Sequence, residues 1–308
     1  LKNSYLDSKT SNDIDKRITK ILNDLDNPEP PLRLEIVREL LRLDFAFYSS
    51  SNTGAINETI HRLKVAGKQI IDRPALLIDA IRKWDLKALW VPDRKRILID
   101  SELPSAKQRW GEAHEIGHSI LPWHEAVMHG DWKRTLSLAC EQQVESEANY
   151  AAGRLLFLQD VFRGHLNDSK LDFEHIKRLG KIFGNTITST LWRAVEASES
   201  QVFGMVSQHP NHAMSDEPFR YFVRSRRFVE AFPHVTAQDV FIAIKKFCYG
   251  SRGPIGKGEV LLFDERAGQH IFFAEVFFNS HEALTLGVYC NAKPVAVSFT
   301  GSNLSKLD

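Results

Sequence analysis

The sequence predicts an α+β protein: a helix-rich N-terminal two-thirds around a small sheet, then a second α+β region. Three observations carry this. Apolar residues recur at helical spacing through most of the first 196 positions, interrupted by three short β-like runs. Two of those runs flank Pro92-Asp93-Arg94-Lys95, which has the chemistry of a hairpin turn. Beyond residue 201 the pattern changes to a helix near 237–247 and β-like segments near 259–264, 269–278 and 284–290. At 308 residues the chain is long enough for two domains, or for one domain with substantial appendages.

Taken in order, Ile14, Ile18, Ile21, Leu22 and Leu25 mark an amphipathic helix within residues 1–27. Asn27-Pro28-Glu29-Pro30-Pro31 breaks it and reads as a linker. Leu32, Leu34, Val37, Leu40 and Leu41 mark a second helix, which runs into a short strand at Phe45-Ala46-Phe47-Tyr48. Helical patterns at 54–84 read as an insertion before the hairpin of Ala88–Val91 and Arg96–Ile99. A helix then covers about Ser105 to Leu121, with Ser105 a candidate N-cap and Pro122 the stop. Another covers about Trp132 to Phe157, with Asp131 as its cap, and Ala148, Ala151 and Ala152 give it a small-residue packing surface. Residues 170–197 read as two helices around Gly184-Asn185, and 201–308 as a separate α+β domain.

Lys plus Arg total 40 and Asp plus Glu 39, a net charge of +1, so no global field favours nucleic acid or an anionic membrane. Cys140, Cys248 and Cys290 are odd in number, far apart and without C-x-x-C spacing, which fits a reducing cytosol rather than a disulfide scaffold. The N-terminal residues have no apolar core of the signal-peptide kind, and no apolar run approaches the roughly 20 residues of a membrane helix. A cytoplasmic protein without membrane contact is expected.

The chemistry concentrates in His114-Glu115-Ile116-Gly117-His118. Residues four apart on a helix share a face, so His114 and His118 can offer nitrogens to one metal ion while Glu115 reaches a water beside it. Zinc suits such ligands, with three protein donors and one open position, so one Zn2+ per chain is expected. The following helix offers Glu141, Glu145 and Glu147 as third ligand. Glu145 shares a turn with Ala148 and Ala152, whose small size lets the two helices approach, and Glu147 points about 200° away. Glu145 is therefore the expected ligand, and Asn149, one turn on, can accept the other ring N–H of His114. The alternative is a merely charged helix face, since H-E-x-x-H arises by chance in on the order of a few chains per hundred.

Pro31-Leu32-Arg33-Leu34-Glu35-Ile36-Val37, Leu89–Ile99, Arg109-Trp110-Gly111-Glu112-Ala113-His114-Glu115-Ile116-Gly117-His118 and Glu145-Ser146-Glu147-Ala148-Asn149 together resemble the ImmA/IrrE family of metallopeptidases over about residues 31–160. The resemblance implies a minimal thermolysin-like zincin core within a 31–165 metallopeptidase domain: a small sheet, the motif helix and the ligand helix. It also implies zinc ligation by Glu145. The best-known members cleave helix-turn-helix repressors in stress-response or mobile-element switches, and others are thought to serve in toxin–antitoxin or phage-defence modules, so the partner implied is such a repressor. Trp110-Gly111-Glu112 replaces the Phe-Thr usual before the motif alanine. By this likeness Glu115 is the base, substrate extends along an edge strand near 96–100, and Tyr150 and His124 are candidate oxyanion stabilisers.

Other signals carry less. Ile176–Arg193 scans as a helix-turn-helix, but its second helix offers mainly Arg193, so packing or gripping a repressor is expected rather than direct DNA binding. His209 and His212 read as a polar loop, His129 as a loop or cleft residue, and Cys140 as packing. Arg220, Arg224, Arg226 and Arg227 read as a solvated helix face. Two other functions compete: a peptidase toxin or phage-defence effector controlled by a partner protein, and a non-proteolytic DNA-binding regulator. Nothing in the sequence sets an oligomeric state.

Overall fold

Strand β3 (Arg96–Asp100) organises the first part of the chain, lying between β1 (Asp44–Tyr48) and β2 (Ala88–Val91) in the sheet order β1-β3-β2. The computed structural model describes residues 5–48, 88–91, 95–124, 138–266 and 268–292. The expected insertion at 54–84, turn residues 92–94, His129 and the start of the second long helix at Asp131-Trp132 lie outside the described residues. The chain divides into two units. Among the described residues, one comprises those up to Ser169 with Lys177–Thr190, and the other comprises Lys170–Ile176 and those from Leu191 onward. The α+β class holds for each.

In the first unit, helix α1 (Ser8–Asp24) is capped by Asp7, whose carboxylate accepts the N–H groups of Lys9 and Thr10. Ile14, Ile18, Ile21 and Leu22 form its buried stripe. The chain breaks where expected, with Asp26 and Asn27 at φ 57° and 51°. Residues 1–27 were expected to stand apart behind a linker, but α1 belongs to the same unit. It packs on α4 (Leu138–Leu156), where Asp15 receives Arg154 Nε at 2.6 Å and the Tyr150 hydroxyl at 3.2 Å. Thr19 donates to Gln159 at 2.8 Å.

Helix α2 (Leu34–Leu41) ends at Arg42, φ 56°, and leads into β1. β1 runs parallel to β3 and β2 antiparallel, the latter as the hairpin reading required. Arg96 Nε holds the cross-strand Asp44 carboxylate at 2.6 Å. β3 was expected to offer a free edge to substrate; it is the middle strand, buried at every residue, so its backbone groups are already paired on both sides. Among the described residues the open edges belong to β1 and β2.

Helix α3 (Ser105–Ile120) packs on β2 and β3 and most extensively on α4. Pro104, not Ser105, occupies its N-cap, and no side chain caps it. Gly117 governs the α3–α4 approach: a Cβ there would lie 2.8 Å from the Ala148 carbonyl oxygen and 3.3 Å from Ala151 Cβ. Ala148, Ala151 and Ala152 are wholly buried, as their small size predicted. Helix α5 (Asp160–Asn167) contributes Phe162 to a cluster with Phe157 and Phe183.

Helices α6 (Phe173–Phe183) and α7 (Ile187–Ala197), joined through Gly184 at φ 66°, carry the division between the units. Phe183 is core, and Arg193, the one basic residue of α7, is 7% exposed. No basic face is left on α7 for phosphates or base edges.

The second unit has an antiparallel sheet of order β5-β4-β8-β7-β6: β4 (Val202–Ser207), β5 (Phe219–Arg224), β6 (Gly253–Phe263), β7 (Gln269–Phe278) and β8 (Ala283–Ala292). Helices α8 (Arg226–Ala231) and α9 (Ala237–Lys245) share its core, and Thr236 and Asp239 form a capping box on α9. Phe203, Phe228, Phe232 and Phe272 pack together at its centre. Gly287 makes room for the ring of Phe203, its partner on the neighbouring strand, since a Cβ there would collide with Phe203 Cζ. Strands β4 and β5 were not expected, and they correct the arginine run. Arg220 and Arg224 lie on β5, Arg224 buried, and only Arg226 and Arg227 begin a helix.

Alanine at Gly117 gains about 1 kcal/mol in helix propensity but overpacks against backbone, which costs about 1–3 kcal/mol. Gly117→Ala is expected to lower the urea midpoint, and an unchanged or higher midpoint would mean the helices do not meet there. Phe272→Ala, which empties the centre of the second core, is expected to cost about 3–5 kcal/mol in the same measurement.

Candidate metal centre

His114 and His118 leave α3 one turn apart and their Nε2 atoms face each other at 3.1 Å. Glu145, from α4, closes the group: Oε2 lies 3.2 Å from His114 Nε2 and Oε1 lies 3.5 Å from His118 Nε2. Among the described residues this is the one group of three potential ligands whose donor atoms all fall within 4.8 Å of one another. The arrangement fits zinc. Two donors each about 2.0–2.1 Å from a tetrahedral ion stand about 3.3 Å apart, and two imidazoles with one carboxylate are a common catalytic set. Two ring nitrogens directed at each other are also a poor pairing without a cation or proton between them.

Each ring is oriented from behind. His114 Nδ1 lies 3.1 Å from Asn149 Oδ1, the contact the one-turn spacing of Glu145 and Asn149 implied. An amide oxygen only accepts, so His114 carries its proton on Nδ1 and presents the Nε2 lone pair. His118 Nδ1 lies 3.0 Å from His124 Nδ1, and His124 Nε2 lies 2.9 Å from Glu147 Oε2. Glu115 is 6% exposed, and its charge acts on the neighbouring His114.

The electrostatics follow from these contacts. Burial works to raise the Glu145 carboxyl, but hydrogen bonds from His114 and His118, and their charges, hold it far below the usual carboxylate range. Burial works to lower His114, yet the Glu145 hydrogen bond, the charges of Glu115 and Glu145, and Asn149 together raise it. For His124 burial wins over the pull of Glu147, and the imidazole is pushed below its ordinary value.

The structure thus brings together His114, His118, Glu145 and Asn149. It does not bring the two oxyanion candidates to bear on them. The Tyr150 hydroxyl is turned to Asp15 on α1. His124 is 0% exposed and uses both ring nitrogens on His118 and Glu147, so it has no N–H left for a substrate oxygen. Glu147, 2% exposed, also accepts from Trp123 Nε1 at 2.5 Å and Gln143 Nε2 at 2.9 Å. Sequence reasoning set Glu147 aside as a ligand and missed its link to His124. The available signal was Trp123-His124 in the turn after Pro122, with a carboxylate on the far side of α4.

Glu145→Ala removes one of three donors and is expected to weaken zinc binding sharply in a chelator competition; unchanged affinity would transfer the third position to another residue. Asn149→Ala should weaken binding by about 10–100-fold, less than loss of a direct ligand, and no change would remove Asn149 as the group orienting His114.

Residues 77–193 match the family model of the M78 peptidases, described as the IrrE N-terminal-like domain. Among solved structures, a Mycobacterium tuberculosis transcriptional regulator matches at 14% identity, with 96% of each chain covered and a TM-score of 0.51, a likeness of fold alone. No curated protein matches the chain. The H-E-x-x-H helix and the Glu145 helix both lie inside the segment that is similar to the IrrE N-terminal-like domain of the M78 peptidases.

Proposed function

We propose that this protein is a cytosolic, single-zinc endopeptidase that cleaves a helix-turn-helix transcriptional repressor in a stress-response or mobile-element switch. The observation that carries the reading is the convergence of His114, His118 and Glu145 beside the buried Glu115. Zinc held by those three residues would supply Lewis acidity, polarising a carbonyl and acidifying water. The protein's own groups do the rest. Glu115 accepts a proton from the attacking water as its oxygen bonds to the scissile carbonyl carbon. The same carboxyl then delivers that proton to the amide nitrogen as the C–N bond breaks. Asn149 keeps the His114 ring in register throughout.

Because β3 is the middle strand, an extended substrate would pair with the outer edge of β2, the edge strand against which α3 packs. A peptidase of the cytosol accords with the thiols of Cys248 and Cys290, which are both free. No helix among the described residues is long and apolar enough to cross a membrane.

Support for a repressor substrate comes from the ImmA/IrrE resemblance, since the best-known members of that family cut such proteins. The Mycobacterium tuberculosis protein named as a transcriptional regulator favours a second reading, regulation without proteolysis. Against that reading stand the complete donor set and the buried Arg193 of α7.

Glu115→Gln is expected to keep its zinc and to lose about 10²–10⁴-fold in cleavage rate. Comparing new protein N-termini in cells expressing wild type and Glu115→Gln should yield one or two termini inside a helix-turn-helix repressor, present with wild type alone. Identical termini in both, under resting and stressed conditions, would favour the non-proteolytic reading. Cleavage by the purified chain should also stop on chelation and return with zinc.

A further inference from the structure

We infer that His124 and Glu147 are positioning residues that fix the tautomer of His118, so that α4 acts on this histidine from both sides. The inference rests on the proposed zinc site and extends it to a buried chain of groups that contacts no substrate. Its first link is the charge state of Glu147. The Trp123 indole can only donate, and it lies 2.5 Å from Oε2; the Gln143 amide nitrogen lies 2.9 Å from Oε1. Both oxygens are therefore acceptors, and Glu147 has no proton to offer.

His124 Nε2, 2.9 Å from the same Oε2, must then carry the proton of that contact. His124 Nδ1 lies 3.0 Å from His118 Nδ1, and if His118 carries its proton on Nδ1 this contact requires His124 Nδ1 to be the acceptor, the lone-pair nitrogen of a neutral imidazole. A metal on His118 Nε2 requires the His118 proton on Nδ1, and His124 Nδ1 stands where that proton must go. With His124 and Glu147 at 0% and 2% exposure, solvent offers no competing partner.

The intervening imidazole has a geometric reason. Glu145 and Glu147 are two residues apart on α4, so their side chains leave the helix about 200° apart and cannot both meet the histidines directly. Glu145 meets His118 at Nε2, and Glu147 reaches Nδ1 only through His124. His114 needs no such extension, because Asn149 lies on the Glu145 face.

The test uses the full chain and measures zinc affinity by competition with a chromophoric chelator. His124→Phe should lower affinity about 10–100-fold and Glu147→Gln roughly tenfold, the range for losing a group that orients a ligand. His124→Gln, whose amide oxygen can accept the His118 proton, should recover most of the loss. Nitrogen NMR of the zinc-loaded chain should find the His118 proton on Nδ1 in wild type and His124→Gln. Glu147→Gln is nearly isosteric and keeps the test open if His124→Phe does not fold. Unchanged zinc affinity in the folded variants overturns the inference. His114→Ala separates the levels: if it abolishes zinc binding while Glu147→Gln changes nothing, only the positioning role falls. If His114→Ala also binds normally, the zinc site falls and the positioning role with it.

Discussion

The contact between Gly117 and the Ala148–Ala152 surface is the constraint on which the centre depends. The two histidines sit one residue after and three before this glycine on α3, and Glu145 sits three before Ala148 on α4. Any larger side chain at the contact would separate the helices over just the turns that must bring Nε2 and Oε atoms to 3.1–3.5 Å. Ligand distances tolerate about 0.2 Å, and a methyl group here, 2.8 Å from the Ala148 carbonyl oxygen, forces a shift. Small residues here thus set the geometry of the candidate metal centre although none of them is one of its three potential ligands.

Close packing sets the distance between the helices but leaves their relative slide and rotation open, and polar contacts fix those. Asp15 on α1 binds Tyr150 and Arg154, about one and a half and two and a half turns beyond Glu145 on α4, through charge-assisted hydrogen bonds. On the other flank the Arg17 guanidinium lies 5.4 Å over the Trp123 ring, and Trp123 in turn donates to Glu147. α1 therefore holds α4 at one end and the turn after α3 at the other. A segment that looked like an appendage in the sequence is a brace for the site.

What could be read from the sequence was what helical geometry settles locally. H-E-x-x-H fixes two nitrogens on one face whatever surrounds it, and the alanines after Glu145 identify which face of the second helix turns inward. Strand order is a different matter. Arg96–Ile99 is apolar and short in either an edge or a middle position, and only its pairing with β1, more than forty residues upstream, decides between them. Val202–Ser207 was passed over because a fully buried strand has no alternation to reveal it. Arg220 and Arg224 looked helical because four-residue spacing also puts two residues on one face of a strand. The contact of His124 with Glu147, which arrives from a separate helix, has no local signature in the sequence.

The division of exposure within the centre follows from what each group has to do. Glu145 keeps 53% of its side chain exposed while Glu147, two residues on, is 2% exposed. A ligand beside the open coordination position must face the space where substrate and water arrive. A group that holds a ring from behind works best where no water can replace it, because an unmade bond there carries the full desolvation penalty of about 1–3 kcal/mol. Alternation of open and dry carboxylates at a spacing of two residues is what an α-helix provides when one face meets a cleft and the other a core. The same helix can then serve ligation and orientation only if something spans its width, and His124 is the group of the right length and chemistry in that position.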